Sequence, residues 1–257
     1  MDAKLLAWGR AVASHPHRHH PCPPRPPSCA ERHLPCPQRP RPRLQRPPPC
    51  PHRHHPCPQR HHPCPQRHPP ARPGDLNHPV AARIPPLWLF TDSKRLPDPR
   101  ASVARLPRGL AGVVFRHDDD PERAALGRDI ARICRARRLI LVVAGDVRLA
   151  AALHAGVHLR GGRWPGPVRT RGFVTSSAHG FADLRRASLG GANLAFLSPV
   201  YATASHPGAP SLGAIRWSRL ARQASVAVAA LGGIDGASVR RLSPGFCRGA
   251  GAIGALA

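Results

Sequence analysis

Residues 230–236 read ALGGIDG, an apolar run that breaks into two adjacent glycines. Paired glycines at the end of a strand let backbone N–H groups approach an anion, and a helix starting there would add its dipole. AGAIGA at 250–255 offers a second glycine-rich approach. Earlier apolar runs end in side chains suited to the same ligand: Arg116 in VVFRHD, Asp146 in VAGD, Ser177 and His179 in TSSAH. An arginine meets phosphate charge, an aspartate can help hold a divalent cation, and an imidazole titrates near neutrality and so can carry a proton. The set is polar, basic and glycine-rich, which describes a pocket for something phosphorylated.

These residues share a position relative to the elements that must carry them. PLWLFTD (86–92), LAGVVF (110–115), LILVVAG (139–145), AGVHL (155–159), GFVTS (172–176), NLAFL (193–197), VAVAAL (226–231) and AGAIGAL (250–256) are short apolar runs. Their lack of alternation predicts parallel strands covered on both faces. PERAALGRDIARICRARR has helical spacing behind Pro121, and DVRLAAALH, FADLRRASLG and DGASVRRLS are further helix candidates. The acid run DDDPE at 118–122 reads as the charged first turn of the first of these helices. Eight strands alternating with helices predict an α/β fold, a (β/α)8 TIM barrel over residues 84–257, with a doubly wound sheet as the alternative. In a barrel the functional groups lie at the carboxyl ends of the strands: Thr91 and Asp92, Arg116 and His117, Gly145 and Asp146, Arg160 to Gly162, Ser176 to His179, Ser198, and Gly232 with Gly233. Little sequence follows the eighth run, so that side of the wall is expected to be thin or covered by a partner subunit, as in a homo-oligomer.

Residues 1–83 differ in kind. They hold 12 of the 17 His, 6 of the 8 Cys and 14 Lys or Arg against 3 Asp or Glu, with few aliphatic residues after Leu6. Such a composition buries too little apolar surface to offset chain entropy, which predicts a disordered Pro/His/Cys/Arg-rich extension. Cys22, Cys29 and Cys36 are seven apart, as are Cys50, Cys57 and Cys64, all but Cys29 beside proline. Structural zinc sites pair their ligands two to four residues apart around a turn, and those pairs are missing here. The extension is therefore expected to be dispensable, and initiation near Val80 would also account for it. His154 and His158 are four apart, but the second falls in a strand run, so the spacing does not make a helical metal pair. Cys134 and Cys247 stand alone in apolar or loop surroundings and are expected to be inert.

The formal net charge is +26. The charge is dispersed and aromatic residues are few, so a nucleic-acid partner is not expected despite the basic pI. No apolar stretch reaches the roughly 18 residues of a membrane helix. The opening MDAKLLAWGRAVASHP lacks a signal-peptide core, which predicts a cytoplasmic protein.

From residue 84 the sequence resembles the thiamine phosphate synthase and TenI family. The resemblance is carried by LWLFTD, VVFRHD, VAGDVRLAAALHAGVHLRGG, TSSAH, GANLAFLSPVYATASHPG and VAALGGIDG, in order and at matching spacing. It implies an enzyme of thiamine biosynthesis that joins a hydroxymethylpyrimidine diphosphate to a thiazole phosphate, with Mg²⁺ and cationic side chains stabilising the departing pyrophosphate. Members place an Arg and a Lys after strand two, Asn-Asp after strand three, a second Asp after strand four, a Ser after strand five and a Lys after strand six. Here those positions hold Arg116 and Asp118, Gly145 and Asp146, Arg163, Ser177, and His206. The resemblance implies His179, Ser177 and Arg116 as catalytic groups and Asp146 as the Mg²⁺ ligand. Phosphate and substrate contacts fall to Arg116, Ser177, Ser198 and Thr203, and to His206, Gly232, Gly233 and Gly251. TenI-like members instead move a proton on the thiazole phosphate without metal, and His179 matches their histidine. A non-catalytic thiazole-phosphate-binding barrel is the third reading.

Overall fold

A computed structural model describes residues 1–14, 84–166, 172–203, 208, 210–242 and 244–257. The Cys/His repeat and His206 lie outside the described residues. Helix α1 (Ala3–Ser14) precedes the strands β1 (Leu87–Phe90), β2 (Ala111–Phe115), β3 (Ile140–Ala144), β4 (Gly156–Leu159), β5 (Val174–Ala178), β6 (Leu194–Leu197), β7 (Ala227–Leu231) and β8 (Cys247–Ala252). Each strand runs parallel to the next and β8 returns to β1, closing an eight-stranded barrel. The expected (β/α)8 architecture is thus the one observed.

The absence of hydrophobic alternation has a direct cause: both strand faces are buried, each in its own core. Trp88, Phe90, Val114, Val142, Phe196 and Ala229 fill the barrel interior. Their neighbours Leu87, Leu89, Val113, Phe115, Leu141 and Val143 pack outward under the helices. Those helices are α2 (Arg100–Arg105), α3 (Arg123–Arg137), α4 (Val147–Ala152), α5 (Phe181–Leu189) and α6 (Gly213–Gln223). None is long and apolar enough to cross a membrane among the described residues.

Three expectations are corrected. DGASVRRLS does not form an α-helix; among the described residues between β7 and β8 the helical piece is a 3₁₀ turn, Val239–Arg241, because the Asp235 carboxylate accepts the backbone N–H groups of Ala237 and Ser238 and holds a tight loop. The eighth strand starts three residues earlier than the AGAIGAL run and ends at Ala252, followed by a 3₁₀ turn, Gly254–Leu256. The extension does not begin at residue 1, since the first fourteen residues belong with the barrel.

Helix α1 explains the third correction. The Asp2 carboxylate caps it by accepting Lys4 N at 2.8 Å and Leu5 N at 3.1 Å. Its other oxygen accepts Gly236 N at 2.7 Å, and Asp2 N donates to Ala255 O at 2.8 Å. Leu5 is fully buried, and Gly9 lies so close to β1 that a Cβ there would come within 2.6 Å of Leu87 Cγ. The helix therefore covers the wall at β8 and β1 that was expected to be thin. Leu5 and Gly9 are four residues apart, the spacing of one helix face.

Candidate functional site

The carboxyl ends of β1 to β4 carry charge. Thr91, fully buried at the end of β1, organises the first part of it. Its Oγ1 accepts Arg116 N at 2.9 Å and pairs with His117 Nδ1 at 3.0 Å. His117 Nε2 lies 3.2 Å from Pro97 O, and a carbonyl can only accept, so Nε2 carries a hydrogen toward it. Arg116 Nε donates to Thr91 O at 3.1 Å, one Nη lies 3.3 Å from Asp92 Oδ2, and the guanidinium rests 5.4 Å above the Phe90 ring. Burial pushes the Asp92 carboxyl up, but the backbone N–H groups of Arg95 and Lys94 and the Arg116 charge outweigh it and hold the carboxyl below its usual value. Arg116 is thus aimed by contacts to three different residues.

Beyond it, the loops after β2, β3 and β4 meet in an ion cluster. Asp146 caps α4 by accepting Leu149 N at 2.9 Å, and its second oxygen lies 3.3 Å from Arg123. Arg123 also pairs with Asp118 at 3.1 Å and donates to Ala144 O at 3.0 Å. Asp118 in turn holds Arg160. His158 lies under this cluster, buried, with Nδ1 2.8 Å from Thr175 Oγ1 and its ring 5.8 Å from Phe90. Burial pushes its pKa down to about 3, helped by the charges of Arg116 and Arg160, so it is neutral.

The ends of β5 to β7 are built differently, mainly from hydroxyls, glycines and one imidazole. Ser177 Oγ accepts Gly161 N at 3.0 Å and Ser176 Oγ accepts Gly162 N at 2.9 Å. His179 is exposed just after β5, with Nδ1 3.0 Å from Ser198 O; its backbone N–H donates to Asp183 at 2.8 Å. Gly232 and Gly233 have φ of 88° and 65°, which disfavours any side chain. A Cβ on Gly233 would also come within 2.6 Å of Ala202 O. The turn therefore runs directly beneath the segment after β6, where Thr203 lies.

Residues 87–256 match the family described as thiamine monophosphate synthase. The chain belongs to this family. Among its relatives, a thiamine-phosphate synthase of Parasynechococcus marenigrum is 32% identical over 162 residues, 59% of this chain and 46% of that protein. Another, of Thiobacillus denitrificans, is 28% identical over 172 residues, 61% of this chain and 81% of that protein. A thiamine phosphate pyrophosphorylase structure from Pyrococcus furiosus superposes with a TM-score of 0.56 at 19% identity, covering 68% of this chain and 88% of that one, a likeness of fold.

Against the residues that the thiamine monophosphate synthase family resemblance implied, the structure brings Arg116 and Asp146 to neighbouring strand ends and puts Ser177, His179, Ser198, Thr203, Gly232 and Gly233 on the opposite arc of the rim. Gly251 lies inside β8, where a Cβ would come within 2.8 Å of the Phe90 ring, so the close packing favours glycine there. A Mg²⁺ held by the protein does not fit. Asp146 already accepts a backbone N–H and faces a guanidinium, the position of a second aspartate is Arg163, and no cluster of three potential ligands exists among the described residues. Cys134 and Cys247 are buried, their thiols pushed up to about 12 by burial, consistent with the inert role expected of them. The residue missed in the sequence is Arg123. The acid run before it was read as the first turn of α3, yet that helix starts at Arg123 and Asp118 reaches across to Arg123 and Arg160 instead. An arginine five residues after an aspartate was the available signal.

Proposed function

We propose that the chain condenses hydroxymethylpyrimidine diphosphate with thiazole phosphate to give thiamine phosphate and pyrophosphate, in the cytoplasm. The observation that carries this reading is Arg116, fixed by Thr91 and Asp92 with its guanidinium at the mouth of a barrel whose relatives are named for this reaction. The bond from the pyrimidine's exocyclic methylene to the diphosphate oxygen breaks, and its electron pair leaves with pyrophosphate. The thiazole nitrogen lone pair then forms the new C–N bond, and no proton need move. Arg116 stabilises charge that develops on the leaving oxygen, the kind of interaction that strengthens in the transition state. The paired glycines after β7 suit the thiazole phosphate, because their backbone has no Cβ in the way. Incubation of the full chain with both substrates should yield thiamine phosphate and pyrophosphate in equal amounts. Binding of both without product would overturn the proposal.

One observation favours a second reading. Ser198 O can only accept, so His179 Nδ1 carries a hydrogen toward it and Nε2 is the ring nitrogen left to exchange a proton with a bound ligand. A TenI-like enzyme would use it to exchange a proton on the thiazole phosphate alone. Under that reading, deuterium uptake from D₂O into the thiazole phosphate occurs without the pyrimidine and falls ~10²-fold or more in His179→Ala. Under the first reading no uptake is seen.

A further inference from the structure

The ion cluster at the ends of β2 to β4 has a definite charge count. Asp118 and Asp146 supply two carboxylates, and Arg123 and Arg160 supply two guanidiniums that bind them. Two guanidiniums on two carboxylates carry the same net charge as one divalent cation on two carboxylates. Arg123 bridges both acids, the place a shared cation would take. It is also held there by Ala144 O and by the Phe115 ring, 6.0 Å from its guanidinium carbon. Its buried Nε has no hydrogen-bond partner among the described residues, so one donor remains unused. Gly145 lies close by: its φ is 68°, and a Cβ there would come within 3.3 Å of Arg160 Nε, so a glycine suits the end of β3 under Arg160.

We infer that Arg123 and Arg160, locked on Asp118 and Asp146, replace a divalent cation, and that this rim binds pyrophosphate without Mg²⁺. A guanidinium presents several donors in a plane and stays charged, so it can neutralise phosphate oxygens without a metal's ligand set. The inference rests on the proposed condensation only for naming pyrophosphate as the group that leaves there.

The test is calorimetric titration of the full chain with inorganic pyrophosphate, once in EDTA and once in excess Mg²⁺. The expected dissociation constants agree within about threefold. Arg123→Gln should weaken binding in EDTA by about tenfold or more, and Mg²⁺ should restore part of it, because one oxygen of Asp146 and one of Asp118 then lose their guanidinium. Asp146→Asn keeps a good helix cap and should weaken binding by the same modest factor in EDTA as in Mg²⁺. If Arg123→Gln does not fold by thermal melting, Arg123→Lys carries the test, with an affinity between the two. Wild-type binding that requires Mg²⁺, or Mg²⁺-stimulated binding abolished by Asp146→Asn, overturns the inference. Metal-free pyrophosphate binding without thiamine phosphate formation would leave the inference standing and remove the condensation. Condensation and pyrophosphate binding both stopped by EDTA would do the reverse.

Discussion

The two arcs of the barrel rim solve different problems with different materials. From β1 to β4 the groups are ionic and held by each other: Arg116 by Asp92, Arg123 by Asp118 and Asp146, Arg160 by Asp118. From β5 to β7 the hydroxyls and glycines are neutral, and the groups are held mainly by the backbone: Ser177 by Gly161 N, His179 by Ser198 O, the glycine turn by close approach of the chain after β6. An ionic arc suits a group that leaves carrying charge. A neutral arc with an aimed imidazole and exposed backbone suits an acceptor that must be oriented. A synthase needs both arcs, whereas a tautomerase needs only the second.

That contrast breaks most readily at Arg116. Arg116→Met keeps the length of the side chain and its packing over Phe90 but removes the charge. It should lower kcat for condensation ~10²–10³-fold, the loss typical of removing one donor from a developing anion. Steady-state assays should show kcat falling more than KM rises, since the contact strengthens as the leaving group departs. A fall of less than about tenfold would mean that the ionic arc is structural.

Burial beneath the ionic arc also gives the fold a thermodynamic signature. His158 titrates near 3 in the fold against an ordinary value of 6.5, so between these values only the unfolded chain takes up its proton. The stability this gives is fully present above pH 6.5 and is lost as pH falls toward 3. The slope contributed by one such group is at most about 1.4 kcal/mol per pH unit. Urea unfolding of wild type and His158→Gln at pH 7, 6 and 5 should show the variant losing less stability per unit. Parallel curves would remove His158 from the account of acid lability.

How far the sequence foretold this arrangement depends on whether the information was local. Apolar runs located all eight strands because both faces of each are buried, so every residue in a run is under the same constraint. Helix α1 was passed over because its apolar face is short, and its stability comes from the distant partners Gly236, Ala255 and Leu87. DGASVRRLS looked helical by spacing, yet Asp235 and Ser238 side chains bond the backbone within the loop, a competition that spacing does not register. In the site, Arg116, Asp146 and the glycine turn could be found because each directly follows a strand. The Asp118–Arg123–Asp146 bridge could not, because it joins a helix start to the loops after two strands, and pairing between loops is set by barrel closure rather than by residue order.

The smallest expected effect sharpens the neutral arc. The family resemblance implied a catalytic role for Ser177; in the fold its Oγ accepts Gly161 N and so holds the turn after β4, which Arg186 also ties to α5 through Gly161 O at 3.0 Å. If that is its main work, Ser177→Ala leaves one backbone donor unpaired at a cost of about 1–3 kcal/mol. Turnover should then fall only severalfold, through loosening of the turn that carries Arg160. Arg160 belongs to the ionic arc, so a severalfold loss accompanied by weaker pyrophosphate binding would show the two arcs to be mechanically joined at this hydrogen bond. A loss above 10²-fold with pyrophosphate binding unchanged would instead put the Ser177 hydroxyl on the substrate itself, and the neutral arc would then take a direct part in the chemistry.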